Sequence, residues 1–174
     1  MRESPQNCSI QPIKLARREG EVRFSWKVSD FERLKTLLYS QEGNVEVTIN
    51  ALFDDRRRCL LRTNIVAEVL LECQTTFTAI THNIEKQVTF CAVVTESRFA
   101  EVEEEFEPVL IEDEYIDVKQ LIEDELILSI PIVANKPLEE LGAEMKFGEL
   151  DEEAIAREKA ASNPFAVLKD LKKT

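Results

Sequence analysis

The stretch NVEVTINALFDDRRRCLLRTNIVAEVLLEC, residues 44–73, decides the fold. Val45, Val47, Ile49 and Ala51 alternate with Glu46, Thr48 and Asn50, the period of a strand with one buried face. Beyond the polar run DDRRR, a second segment rich in Ile, Val and Leu follows, and the two arms together predict a long antiparallel hairpin.

The pattern extends in both directions. EVRFSWKV (21–28) alternates Val22, Phe24, Trp26 and Val28 with polar residues, predicting another half-buried strand. SDFERLKTLLY (29–39) has Ser29 and Glu32 at capping-box spacing and puts Phe31, Leu34, Leu37 and Leu38 on one face, predicting a short helix to about Tyr39. TFTAITHNIEKQVTFCAVVT (76–95) continues the sheet, and its polar centre predicts a second hairpin turning near Asn83–Lys86.

ESRFAEVEEEFEP (96–108) then reads as a solvated loop carrying Glu101, Glu103, Glu104, Glu105 and Glu107. YIDVKQLIEDELILSIP (115–131) predicts a helix that Asp117 caps and Pro131 ends, with Val118, Leu121, Ile122 and Leu126 on one face. On that helix Glu125 falls inside the apolar arc, whereas Glu123 and Asp124 fall on the opposite, solvated side. An unpaired carboxylate buried there costs several kcal/mol, so Glu125 is expected to be structural and paired inside the fold.

The expected organisation is a flexible arm over residues 1–9, a single α+β domain over 10–135, and an acidic, partly extended, mobile C-terminal region over 136–174 with a short terminal helix from Pro164. The domain is mainly an antiparallel β-sheet, with closure into a barrel as one option, and two main helices. No stretch approaches the 18 or so apolar residues of a membrane span, and the N-terminus lacks the apolar core of a secretory signal, so a cytoplasmic protein without membrane contact is expected.

Residues 1–63 carry 12 Lys+Arg against 9 Asp+Glu, while residues 99–174 carry 8 against 21, within a net charge of -12. A mildly basic half is joined to a strongly acidic one, which points to charged partners without naming them.

Cys73 and the single histidine, His82, lie in VLLECQTTFTAITH (69–82) and invite a metal or nucleophile reading. Zinc wants four ligands, usually with a close CxxC pair, and here Thr76 stands at the matching position, so no metal and no other cofactor is expected. The plainer reading is a buried thiol at a strand end and a polar hairpin histidine. With 4 glycines and no phosphate loop, HExxH or GxSxG, the chain offers no catalytic motif. Neither an enzyme nor a small-molecule substrate is expected.

VLLECQTTFTAITH, followed in order by YIDVKQLIEDELILSIPIV (115–133), MKFGEL (145–150) and NPFAVLKDLKK (163–173), resembles the bacterial YceD family of large ribosomal RNA subunit accumulation proteins. Many members carry CxRC at the hairpin, and this chain keeps Cys73 but has Thr75 and Thr76 in place of the Arg and second Cys. The resemblance implies a cytoplasmic ribosome biogenesis factor that supports synthesis, processing or stability of 23S rRNA.

Two binding modes fit the residues. Arg56, Arg57 and Arg58 at the hairpin turn, with Arg62 beyond it and Arg17 and Arg18 near a possible first strand, suit phosphates of 23S rRNA or its precursor. The plain alternative is that these arginines are solvated and paired with Asp54 and Asp55. In the rival mode, Glu101, Glu103, Glu104, Glu105 and Glu107 form an acidic face that holds a basic large-subunit ribosomal protein during assembly.

Overall fold

The computed structural model describes residues 8–136. Within them the order is β1 (Ser9–Ile10), α1 (Pro12–Arg17), β2 (Glu21–Lys27), β3 (Asn44–Phe53), β4 (Cys59–Glu72), β5 (Ala79–Val93), β6 (Glu107–Leu110), β7 (Ile116–Asp117) and α2 (Val118–Ser129). Short 3-10 helices lie at Val28–Asp30, Leu34–Leu37 and Glu96–Glu101.

Five strands form one sheet in the order β2-β3-β4-β5-β6, antiparallel except for the parallel β5–β6 pair. The fold is therefore α+β on a mostly antiparallel sheet. Among the described residues the sheet is open, with β2 and β6 as its edges, so the option of a closed barrel is corrected. Beyond β6, which pairs only with Phe90–Val93 of β5, no described strand covers the outer side of Ala79–Thr89.

The alternation that predicted β2 and β3 sets their inner face. Val45, Val47 and Ile49 of β3 lie beside Ile65 and Ala67 of β4 in the ladder, and all are buried. Onto this face α2 lays Val118, Ile122 and Leu126, each fully buried. Burying each such side chain contributes roughly 1.5–3 kcal/mol. Gly43 enters β3 at φ +129, where a Cβ would sit 2.2 Å from the Glu68 carbonyl oxygen. Only glycine lets the chain pass so close to β4.

Three local expectations change. The second hairpin turns at Cys73–Thr78, with Cys73 N donating to the Thr78 carbonyl at 2.9 Å, and β5 runs unbroken through Asn83–Lys86. Ile84 is buried between exposed Asn83 and Glu85, so the period-2 alternation prevails over the polar composition that suggested a turn.

The helix expected over 29–39 is two 3-10 turns instead. In a continuous helix the Arg33 and Leu34 N–H groups would reach the Ser29 and Asp30 carbonyls. Both donate instead to Glu123 Oε1 of α2, at 2.7 and 3.2 Å. The N-cap position falls at Lys27, whose N–H donates to the Asp30 carboxylate, rather than at Ser29. Lys14, Arg17 and Arg18 do follow a first strand, β1, and belong to α1 or its C-terminal cap, with Pro12 starting that helix.

The two-residue strands β1 and β7 pair antiparallel, Ser9 with Asp117 and Ile10 with Ile116, and Val118 N donates to the Cys8 carbonyl. Cys8 and Ser9 are thus tied to the domain, and the rest of the arm expected over residues 1–9 lies outside the described residues. The terminal helix from Pro164 and the remainder of the C-terminal region lie outside the described residues.

Candidate nucleic-acid interface

Asp54 builds the turn between β3 and β4. Its Oδ1 accepts from Arg56 N at 3.0 Å and Arg58 N at 2.7 Å, while its Oδ2 takes Arg58 Nε at 2.6 Å. Arg57 N donates to the Asp54 carbonyl, and Arg57 itself adopts φ +61. That left-handed backbone is unusual for a side chain this large and places Arg57 at the exposed tip.

Arg58 is held from several sides. Its guanidinium lies 4.9 Å from the Phe106 ring centre and its Nη1 is 3.3 Å from Glu103 Oε1, with Arg56 bonded to the same carboxylate oxygen. The Asp54 side-chain bond, more than offsetting burial, raises the Arg58 pKa. Burial pushes the Asp54 carboxyl up, but the backbone and side chain of Arg58 outweigh it and hold it below the usual range. Glu103 is likewise lowered, burial being overcome by Arg56 and Arg58.

The acidic segment reaches these arginines because it is pinned. Val102 and Phe106 pack on a small apolar cluster of Leu60, Cys91 and Val93 on the outer face of the sheet, which brings Glu103 to the turn. The two groups of residues proposed as rival binding faces are thus partly one ionic cluster. Glu101 pairs with Arg98 at 3.4 Å, while Glu104, Glu105 and Glu107 are exposed.

Arg56, Arg57, Arg58 and Arg98 line a cleft of about 230 Å³ whose apolar wall includes Phe53 and Val94. Ile13 and Val94 also line a neighbouring cleft that takes in Lys14 and Arg17. Arg62 stands apart, exposed on the outer sheet face opposite Asn50 and Thr89, and Arg18 is exposed at the end of α1. Among the described residues, no ion pair engages Arg57, Arg62, Arg17 or Arg18. Arg98 was not found from the sequence, because a connection through a 3-10 helix into a parallel strand leaves no periodic signal.

The paired-with-aspartate expectation holds for Arg58 and Asp54. Arg56 uses the Asp54 carboxylate through its backbone only, and its side chain goes to Glu103.

Cys73 is buried at the end of β4, and Lys136 N approaches its Sγ at 3.4 Å. The Thr76 hydroxyl and nearby backbone N–H groups overcome burial and lower the thiol pKa to about 7. His82 sits on β5 opposite Val69, up the ladder from Cys73. Among the described residues, no three His, Cys, Asp or Glu side chains are grouped to hold a metal ion, and no helix is long and apolar enough to cross a membrane. Ala134 and Asn135 accept from Gln74 N and Thr75 Oγ1, strapping the chain after α2 over the hairpin turn.

Glu125 is 7% exposed, with Lys86 Nζ of β5 at 2.5 Å from Oε2. Glu123 is buried as well, contrary to its expected solvated position, because the 3-10 segment covers that side of α2. Arg33 bridges Glu123 at 3.1 Å and Asp124 at 2.7 Å.

With this geometry in place, the comparisons identify the class. Residues 61–172, more than half of the chain, match the family described as large ribosomal RNA subunit accumulation protein YceD. The chain belongs to that family. It is 28% identical over 168 residues to a protein of Haemophilus influenzae with the same description, with 94% of each chain covered. No solved structure matches it.

Proposed function

We propose that this chain is a ribosome biogenesis factor that supports accumulation of 23S rRNA by binding the RNA or its precursor directly, without catalysis. Family membership supports the rRNA connection. The observation that carries direct binding is Arg57, presented without a carboxylate partner among the described residues at the tip of a turn that Asp54 has already rigidified. Arg17 and Lys14 lie along the neighbouring cleft, Lys14 paired with Glu114 at 3.6 Å, which places exposed cations on one side of an otherwise acidic protein. Segregation of this kind lets a polyanion approach despite the net charge of -12.

Binding to 23S rRNA fragments over a salt series tests this. Replacing Arg57, Arg17 and Arg62 together by Gln should weaken binding and reduce the salt slope by roughly 0.7–0.9 per lost phosphate contact. An unchanged slope rejects this surface.

The second reading, a module that holds a basic ribosomal protein, draws on Glu104, Glu105 and Glu107, which remain exposed after Glu101 and Glu103 are engaged. Changing these three to Gln should abolish capture of a basic large-subunit protein if that reading holds, and leave RNA binding in place if the first does.

A further inference from the structure

Two of the arginines that line the cleft, Arg56 and Arg58, already hold an anion at its edge, and that anion belongs to the protein. Glu103 Oε1 lies between the guanidinium groups of Arg56 and Arg58, where an oxygen of a bound phosphate would lie, since the guanidinium fork matches carboxylate and phosphate alike. The two arginines differ in how firmly they are held. Arg58 is mostly covered and bonded to Asp54, whereas the Arg56 side chain is 72% exposed and Glu103 41% exposed.

An ion pair that exposed is weak, so an incoming phosphate displaces it at small cost. Val102 and Phe106 keep the acidic segment docked, so Glu103 returns when the ligand leaves. The cleft is narrow, with Phe53, Val94 and Val102 among its apolar residues and Arg57 at its rim. Those features suit an unstacked base beside its phosphate, as single-stranded RNA presents it.

Resting on the reading that RNA is the ligand, we infer that this cleft is a subsite for one nucleotide of single-stranded RNA and that Glu103 occupies its phosphate position in the free protein. Glu103 then sets a threshold. Isolated or weakly held anions compete poorly with it, while a longer single strand anchored elsewhere on that side of the protein displaces it.

The test uses the full chain and a single-stranded oligoribonucleotide at low salt, with the same sequence annealed to its complement as a second probe. Glu103→Gln should bind the single strand about two- to fivefold more tightly, the size of an exposed ion pair removed. Glu104→Gln changes charge equally one residue away and should leave affinity within about 1.5-fold, as expected for a screened surface charge. Arg56→Gln should cost little in the native chain, where Glu103 holds Arg56, but should cancel the gain in the Glu103→Gln background.

Equal gains from Glu103→Gln and Glu104→Gln, or an Arg56→Gln cost that is the same in both backgrounds, overturn the masking. A gain as large for the duplex as for the single strand overturns the single-nucleotide subsite. If neither the native chain nor any variant binds either probe, the RNA reading itself fails, an outcome distinct from binding that ignores Glu103.

Discussion

Lys86 of β5 and Glu125 of α2 meet at 2.5 Å, an ion pair that ties the helix to the free half of the last long strand. The carboxylate is nearly covered and the ammonium is about one-third exposed, so solvent screens the lysine but not its partner. Glu125→Gln should therefore destabilise the domain by about 1–2 kcal/mol, less than for a fully buried pair. Urea melts measure it, and a loss below about 0.5 kcal/mol would show that the pair contributes nothing of consequence.

Glu123 is a different case, because it accepts two backbone N–H groups as well as the Arg33 side chain. Glu123→Ala leaves the buried Leu34 N–H without its acceptor and should cost about 1–3 kcal/mol, whereas Glu123→Gln keeps an acceptor and should cost less. Burial raises the Glu123 pKa, but the Leu34 and Arg33 N–H groups and the Arg33 guanidinium bring it below its ordinary value. A depressed carboxylate stabilises the fold above its unfolded pKa, about 4.3, and that contribution is lost as pH falls through the folded value. The melting-temperature gap between native chain and Glu123→Gln should thus be full at pH 6 and close in acid. A gap independent of pH would contradict the assignment.

Cys73 should report at the other end of the scale. Its folded pKa, about 7, lies below the unfolded thiol value near 8.5. The resulting stabilisation is complete above about pH 8.5 and vanishes as pH falls through 7. Compared with Cys73→Ser, the native chain should gain melting temperature between pH 6.5 and 9. Cys59 cannot mimic this, since burial pushes its thiol up to about 11. A difference that stays flat across this range would remove the thiolate from the turn.

At Arg57 stability and the proposed RNA contact are opposed. The left-handed backbone at φ +61 is strained for arginine and natural for glycine, so Arg57→Gly should stabilise the domain by about 0.5–1 kcal/mol. The same change should weaken binding to rRNA fragments. Denaturant melts and a binding titration on one preparation decide it, and a variant that gains stability with undiminished binding would take Arg57 out of the interface.

The sequence made the sheet legible because burial on one face leaves a period that survives in the letters, as in Val45, Val47 and Ile49. It made α2 legible for the same reason, through Val118, Ile122 and Leu126. It did not reveal the 3-10 segment, where Glu123, some ninety residues away in the chain, takes the hydrogen bonds that a helix would have used. Nor did it reveal that Glu103 faces Arg56 and Arg58, because only Val102 and Phe106 packing on the sheet bring the segments together. Long-range polar contacts leave no period, and the candidate interface is made of them.

The β1–β7 ladder joins Ser9 to Asp117, so β1 has no partner until the far end of the domain has been made. Strands β2 to β5 pair with successive neighbours and can assemble as the chain leaves the ribosome, but Ser9 and Ile10 must wait about a hundred residues. At roughly 5–20 residues per second, that wait is on the order of 5–20 s. During this interval a nascent molecule carries an unclasped N-terminal strand. Closure of β1 on β7 is the event that distinguishes a domain whose last strand has been made from one that still lacks it.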